Sequence, residues 1–490
     1  MRLLKLCIVL FSGVISSQVC ADAQSYLKSI QSNPNALYSF FKEMPKGGEL
    51  HYHLAGGAYP ETMLLLASQH NYCLDKFTLT VSKHNEQCSG IETKDIFKHP
   101  ELYNSAIHSW SMKDFVPGLE SRHDHFFNSF FKFMPLVADF RPQLIAEIMN
   151  RAADQHELYI ELMILPDNAN STTFAKLIRD SKNYDDKKNT LLANKDFQDN
   201  VQFTINETER ILNDARQELG CTQNPKLAAC NLTVKFQYYI LREQALDNVF
   251  AQALNAFAAA SQSNLIVGIN LVQAEDGIIS LRDYKQQMEI ISYLHKAYPN
   301  VHIALHAGEM SPSGVMPEDL RFHIHDAIYT GQAERIGHGV DVAYENQAES
   351  LLKYMASKPV PVEINLISNR EILNIYGPEH PLRTYLDHNV PVVLSTDDEG
   401  ILRTDLTRQY VEAIYVHQLD YAILKRINRN ALTYNFLPGV SLWKNPFAQV
   451  SVAQCENLQS PSCLEFVQDN PKASLQRELE LQLMEFEKQY

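Results

Sequence analysis

Residues 301–309 read VHIALHAGE. Val301 to Leu305 form an apolar run of strand length, and the run stops abruptly at His306-Ala307-Gly308-Glu309. A buried strand that delivers polar side chains just past its last apolar residue is the habit of parallel barrels, whose chemistry sits at the carboxyl ends of the strands. Three other strand-like stretches end the same way. Residues 49–54 end in His51-Tyr52-His53, residues 335–339 end in His338-Gly339, and residues 390–398 end in Ser395-Thr396-Asp397-Asp398.

Between these endings lie further apolar runs at 158–165, 231–241, 265–272 and 360–366. The expected strands from His51 to Thr396 number eight, separated by helical or irregular sequence. That is the pattern of an α/β chain of the (β/α)8 TIM type. A doubly wound open sheet has the same alternation. It would not bring the first and last strands together, however, and the polar endings of the first, fifth, sixth and eighth strands must converge if they share one site. One helix is expected over 24–46, closed by Pro45, and one over 318–330. The stretch 71–113 reads as an excursion from the barrel, 167–199 as a polar loop or small excursion, and 115–134 as an aromatic segment of core or lid. The barrel core is expected over about 47–436, with a C-terminal extension over 437–490 that carries a closing helix from Lys472.

The chain has 490 residues, of which 45% are hydrophobic and 21% charged, a globular balance. Its net charge of −15 disfavours nonspecific binding to nucleic acid or to an anionic membrane surface. The first residues read as a removable leader. Arg2 and Lys5 precede an apolar run over 6–14, and Val19-Cys20-Ala21 offers a cleavage site, so residues 1–21 are expected to leave. The run is shorter than the ~20 residues a membrane span needs, so no stable anchor is expected after cleavage. Six cysteines remain, in three close pairs: Cys73 with Cys88, Cys221 with Cys230, and Cys455 with Cys463. Neighbouring pairs in even number suggest disulfides, and with them a secreted or periplasmic protein. Asn170, Asn206 and Asn231 open glycosylation sequons that matter only in a eukaryotic secretory path.

The strand endings supply a coherent set of groups. In an extended strand His51 and His53 face the same side and can reach one point. His306 closes a buried strand with Glu309 three residues on, and His338 lies between two glycines. Asp397 and Asp398 are adjacent carboxylates that repel unless a cation or proton neutralises one. Three neutral imidazoles (His51, His53, His306) with Asp397 suit one Zn²⁺ and leave room for a water. Such an ion lowers the pKa of its water toward ~7. Glu309 is then placed as an acid and His338 as a base. His323-x-His325 and His123-x-His125 share the spacing of the first pair. The former lies in an expected helix, where residues two apart diverge, so neither pair is expected to bind metal.

The ordered set MPKGGELHYHL, HAGE, RIGHG, NLISN and STDD resembles the adenosine deaminase family of the amidohydrolase barrels, over about residues 45–410. The leader and the wording before the first motif are most similar to the secreted, adenosine-deaminase-related growth factor branch. The resemblance implies metal ligands His51, His53, His306 and Asp397. It implies that Glu309 protonates the purine N1 during attack at C6, that His338 orients the attacking water and shuttles its proton, and that Asp398 hydrogen-bonds N7. The chain departs from the family at Ala55, where many members carry an Asp that contacts the ribose 5′ hydroxyl, and at Gln273, in place of a Gly whose backbone contacts the purine. The short stretch between the leader and His51 gives no support to dimerisation through the long N-terminal segment of that branch, and the oligomeric state stays open.

The expected activity is hydrolysis of adenosine or 2′-deoxyadenosine to the inosine product and ammonia, with a purine nucleoside as the small-molecule partner. Ala55 keeps open a deaminase of adenine or of an N6-substituted or 5′-modified nucleoside. An extracellular nucleoside-binding signalling protein is the reading from another class. The cytidine-type zinc deaminases are disfavoured, because their P-C-x-x-C segment is absent.

Overall fold

The computed structural model describes residues 15–83 and 88–490, with side chains from residue 23 onward. The expected leader therefore falls largely outside the described residues. Eight parallel strands form one sheet in sequence order: β1 (Lys46–His53), β2 (Glu157–Ile164), β3 (Thr233–Leu241), β4 (Ile266–Val272), β5 (His302–Ala307), β6 (Arg335–His338), β7 (Val362–Ile364) and β8 (Val392–Leu394). The seam between β8 and β1 closes just past the end of β8. There Tyr52 bridges Asp397 in parallel, His53 N–H donates to the Asp397 carbonyl at 2.9 Å, and Asp397 N–H donates to that of His51 at 3.2 Å. The sheet is thus a barrel, and its first and last strands meet where the site residues stand.

Eight strands buried on both faces read as near-continuous apolar runs, and the exceptions point inward. Glu161, Gln237, Asn270, Arg335 and Glu363 interrupt the runs of β2, β3, β4, β6 and β7, and each is at most 1% exposed. They pair with one another. Arg335 donates to Glu161 and to Glu363 at 2.6 Å each, Gln237 donates to Glu161 at 2.8 Å, and Asn270 donates to Gln237 at 3.0 Å. A buried charge left without its partner costs several kcal/mol, about 3–5, so this layer is held as a unit.

The helix expected over 24–46 is two helices, Ile15–Ile30 and Pro34–Glu43. The break has a local cause: the Asn33 side chain accepts from Asn35 and Ala36 N–H, and Pro34 opens the second helix. The expected loop over 167–199 instead carries a 3-10 segment, Asn170–Leu177, and a helix, Tyr184–Ala193, capped by Asn183. The next helix starts at Lys195, with Asn194 as its cap. Polar composition hid the two helices because their caps are Asn residues that read as loop. The helix expected over 318–330 is reduced to His323–Tyr329 after a short 3-10 turn.

The excursion after β1 contains a three-stranded sheet (Tyr72–Leu74, Val81–Lys83, Ile91–Glu92) pinned by the Cys73–Cys88 disulfide. Disulfides Cys221–Cys230 and Cys455–Cys463 complete the three expected pairs. The C-terminal extension ends in the helix Pro471–Glu487, which packs Phe486 against Phe40, ring centroids 5.1 Å apart. No helix among the described residues is long and apolar enough to cross a membrane.

Candidate metal and catalytic site

The carboxyl ends of β1, β5, β6 and β8 converge. One potential ligand atom from each of His51, His53, His306 and Asp397 lies within 4.8 Å of the other three, and Glu309, His338 and Asp397 form a second such group. Asp397 Oδ1 lies 3.3 Å from His51 Nε2 and 3.1 Å from His53 Nε2. His53 Nε2 and His306 Nε2 face each other at 3.2 Å, a separation at which two ring nitrogens need a proton or a cation between them. The donor set, three imidazoles and one carboxylate, fits a divalent transition-metal ion. The structure thus brings together every residue expected at the metal, and it does not bring in the decoys. His325 pairs with Asp326, His125 with Glu120, and His123 with Asp276, while His323 binds Glu275.

Turns in unusual backbone conformation aim these groups. His338 and Asp397 both have φ of 67°, a left-handed conformation that non-glycine residues adopt rarely and mostly where surrounding structure enforces it. Gly337 lies flat under the His51 ring: a Cβ there would stand 2.7 Å from Cε1. Three of the four candidate ligands are also held from behind. His51 Nδ1 meets Glu363 Oε2 at 2.7 Å, His306 Nδ1 meets Asn270 Oδ1 at 2.9 Å, and Ser368 donates to Asp397 Oδ2 at 2.7 Å.

His338 is orientated by a longer chain. Leu382 N–H can only donate, and it donates to His380 Nδ1 at 3.1 Å. Burial pushes His380 down to about 3, so its neutral ring carries the proton on Nε2, 3.0 Å from Asn369 Oδ1. The Asn369 amide then donates to His338 Nδ1 at 3.0 Å. His338, itself pushed down to about 3 by burial, therefore presents Nε2–H to the site, 3.6 Å from Glu309 Oε1 and 3.9 Å from Asp397 Oδ2.

The carboxylates divide into two states. Burial alone would raise Asp397, but hydrogen bonds from His51 and His53 hold it well below the usual range. Burial, with Asp397 second, pushes Glu309 well above it, and Asp398 is raised by burial and by Asp397 and Glu309. One anion to hold a cation, beside two carboxyls disposed to carry protons, is an arrangement suited to acid catalysis next to a metal.

At the substrate side, Ala55 is buried in the short helix Leu54–Gly57 directly after β1 and offers no acceptor. Gln273 stands past β4 with φ of 83°, and its Oε1 accepts from Glu243 N–H at 2.9 Å. The aromatic helix Arg122–Asp139 reaches the segments after two strands, the helix Leu366–Leu373 after β7 and the loop after β4: Arg122 pairs with Glu371 at 2.5 Å and His123 with Asp276 at 3.1 Å.

The fold and the donor set define an eight-stranded α/β barrel with a candidate metal site at its carboxyl mouth. The sequence model of the family described as Adenosine deaminase matches residues 126–441, and the chain belongs to that family. An adenosine deaminase of Escherichia coli is 34% identical over 137 residues, 28% of this chain and 38% of that enzyme. One from Klebsiella pneumoniae is 35% identical over the same shares. The matched segment thus spans well under half of these relatives. Among solved structures, Arabidopsis ADAL in complex with IMP aligns over 91% of this chain and 99% of its own, with a TM-score of 0.56 at 16% identity. An adenine deaminase from Arthrobacter aurescens aligns over 90% and 99%, with a TM-score of 0.53 at 15% identity. At these identities the structures share the fold. The family match begins after His51 and His53, and barrel closure carries those two residues to the matched part of the site.

Proposed function

We propose that this chain is a zinc-dependent deaminase that converts adenosine or 2′-deoxyadenosine to the inosine product and ammonia. The observation that carries the reading is the convergence of His51, His53, His306 and Asp397 beside Glu309 and His338. The four donors would hold one Zn²⁺, which lowers the pKa of a water toward ~7 and so supplies hydroxide at neutral pH. Glu309, kept protonated by burial, donates to the purine N1 as the oxygen adds at C6. His338 donates Nε2–H to that oxygen and orients it; in this tautomer it holds the oxygen rather than taking its proton as the expected base, and the hydroxyl proton passes to the departing amine as C6 becomes a carbonyl. Asp398, also raised, donates to N7. The C6–N bond breaks and ammonia leaves.

A second reading changes the sugar side and keeps the chemistry. With Ala55 in place of an acceptor, the site has no carboxylate at that position to bind a ribose 5′ hydroxyl, which favours adenine or a 5′-modified nucleoside. Ammonia release from adenosine, 2′-deoxyadenosine, adenine and a 5′-modified adenosine, measured together with bound metal, tests both. A chain that is loaded with Zn²⁺ and still silent toward all four sinks the proposal.

The same reading places the protein outside the cytoplasm, as one unit over residues 22–490 behind the leader at 1–21. The three disulfides support that location. Native protein from the periplasm or medium should show no thiol reactive to alkylation.

A further inference from the structure

The turn that carries Glu309 is gripped by a second carboxylate. Glu275 lies beyond β4, on the far side of the left-handed Gln273, and is 1% exposed. Its Oε1 accepts from Gly308 N–H at 3.0 Å and its Oε2 from Glu309 N–H at 2.8 Å. One carboxylate thus spans two consecutive peptide N–H groups, a geometry available only because Gly308 has φ of +77°. No side chain could replace that glycine: a Cβ would stand 2.5 Å from Asp341 Oδ1 and 2.9 Å from Ile324. The opposite side of the same peptide is also held, since the Gly308 carbonyl accepts from Val340 N–H at 2.8 Å.

Glu275 is itself fixed by a side chain that sequence spacing set aside as a decoy. His323 Nδ1 meets Glu275 Oε1 at 2.6 Å with both groups fully buried. The imidazole stacks on Tyr284, centroids 3.7 Å apart and planes 13° apart, and Tyr284 Oη donates to the His323 carbonyl at 2.7 Å. Neither Glu275 nor His323 belongs to the cluster of potential metal ligands.

We infer that Glu275 and His323 are positioning residues for Glu309: together they fix the two peptide planes that aim its carboxyl at the reacting base. The inference rests on the deaminase reading, in which Glu309 is the proton donor. A donor must sit within hydrogen-bond reach of the atom it protonates, and a displacement of about 1 Å costs on the order of 100-fold in rate.

The test uses the full chain and Glu275→Gln. The amide can accept from one of the two N–H groups but turns its NH2 toward the other. Expected are faster amide hydrogen exchange in the peptide covering residues 306–310, unchanged bound metal, and a kcat about 100-fold lower with KM within a few-fold. Glu275→Asp, too short to span both donors, should recover part of the rate. Should Glu275→Gln not fold, His323→Gln, which leaves the carboxylate in place, is read in the same way. Unchanged exchange, or a kcat within threefold of wild type, overturns the inference. A wild-type chain that releases no ammonia from any adenine compound overturns instead the deaminase reading and the role given to Glu309.

Discussion

Glu363 holds His51 Nδ1 at 2.7 Å with one oxygen and the Arg335 guanidinium at 2.6 Å with the other. The carboxylate fixes the proton of His51 on Nδ1, leaving Nε2 to face Asp397 and the other ligands. Glu363→Gln should therefore weaken metal retention roughly 10–100-fold, the usual effect of removing a partner behind a ligand. Titration of the loaded protein with a chelator, followed by metal analysis, reads this directly. Equal retention in wild type and variant would show that His51 needs no such support.

Removing the metal should abolish ammonia release and lower Tm, and added Zn²⁺ should restore both. The stability effect follows from the site itself: an ion bound only by the folded chain stabilises it by mass action. Calorimetry before and after dialysis against chelator measures the shift. An apo protein as stable and as active as the loaded one would remove the metal from the account.

Much of this was legible in the sequence, and the boundary has physical causes. Strand endings betray themselves because an apolar run that stops at His-Ala-Gly-Glu or Ser-Thr-Asp-Asp has no packing reason to do so. The eight strands and the convergence of His51, His53, His306, Asp397, Glu309 and His338 were readable that way, and the three disulfides were readable from the close pairing of the cysteines. The supporting residues were harder. Glu363, Asn270 and Ser368 hold candidate ligands from other elements, 312, 36 and 29 residues away, and no spacing rule links them to their partners. For Glu363 and Asn270 the one local signal was a charged or amide residue inside a buried run, as in PVEINL and IVGINLV. His323 misled for the opposite reason. Its helix keeps it away from the ligand cluster, yet the first turn of that helix packs against the end of β5 and brings its ring to Glu275.

Glu309→Gln keeps the shape of the proton donor and removes its acid proton. Loss of a positioned general acid costs about 10²–10⁴-fold, so kcat should fall by at least 100-fold while bound metal and affinity for the inosine product stay near wild type. Steady-state ammonia release with product inhibition measures both. The same variant separates turnover from binding in any extracellular role: an effect that persists in Glu309→Gln depends on occupancy, and one that vanishes depends on catalysis.

Acid should weaken the grip of Glu275 in a defined window. Burial alone would raise this carboxyl, but His323, then Arg242 and the Gly308 N–H, hold it down to about 2 from an ordinary 4.5. In the folded chain it therefore stays ionised at pH values where the unfolded chain has already taken up the proton. The unfolded state binds more protons between about 2 and 4.5, so this group's contribution to stability is complete above 4.5 and declines as pH falls toward 2. A displacement of this size corresponds to about 3 kcal/mol, to order of magnitude. Glu275→Gln has no such proton to lose. Its Tm should lie well below wild type at pH 7, and the gap should narrow between pH 4.5 and pH 3 as the wild type loses its advantage. Thermal melts of both proteins at pH 7, 5 and 3 decide the matter, and a gap that stays constant over that range would mean that the carboxylate's charge contributes nothing to holding the turn.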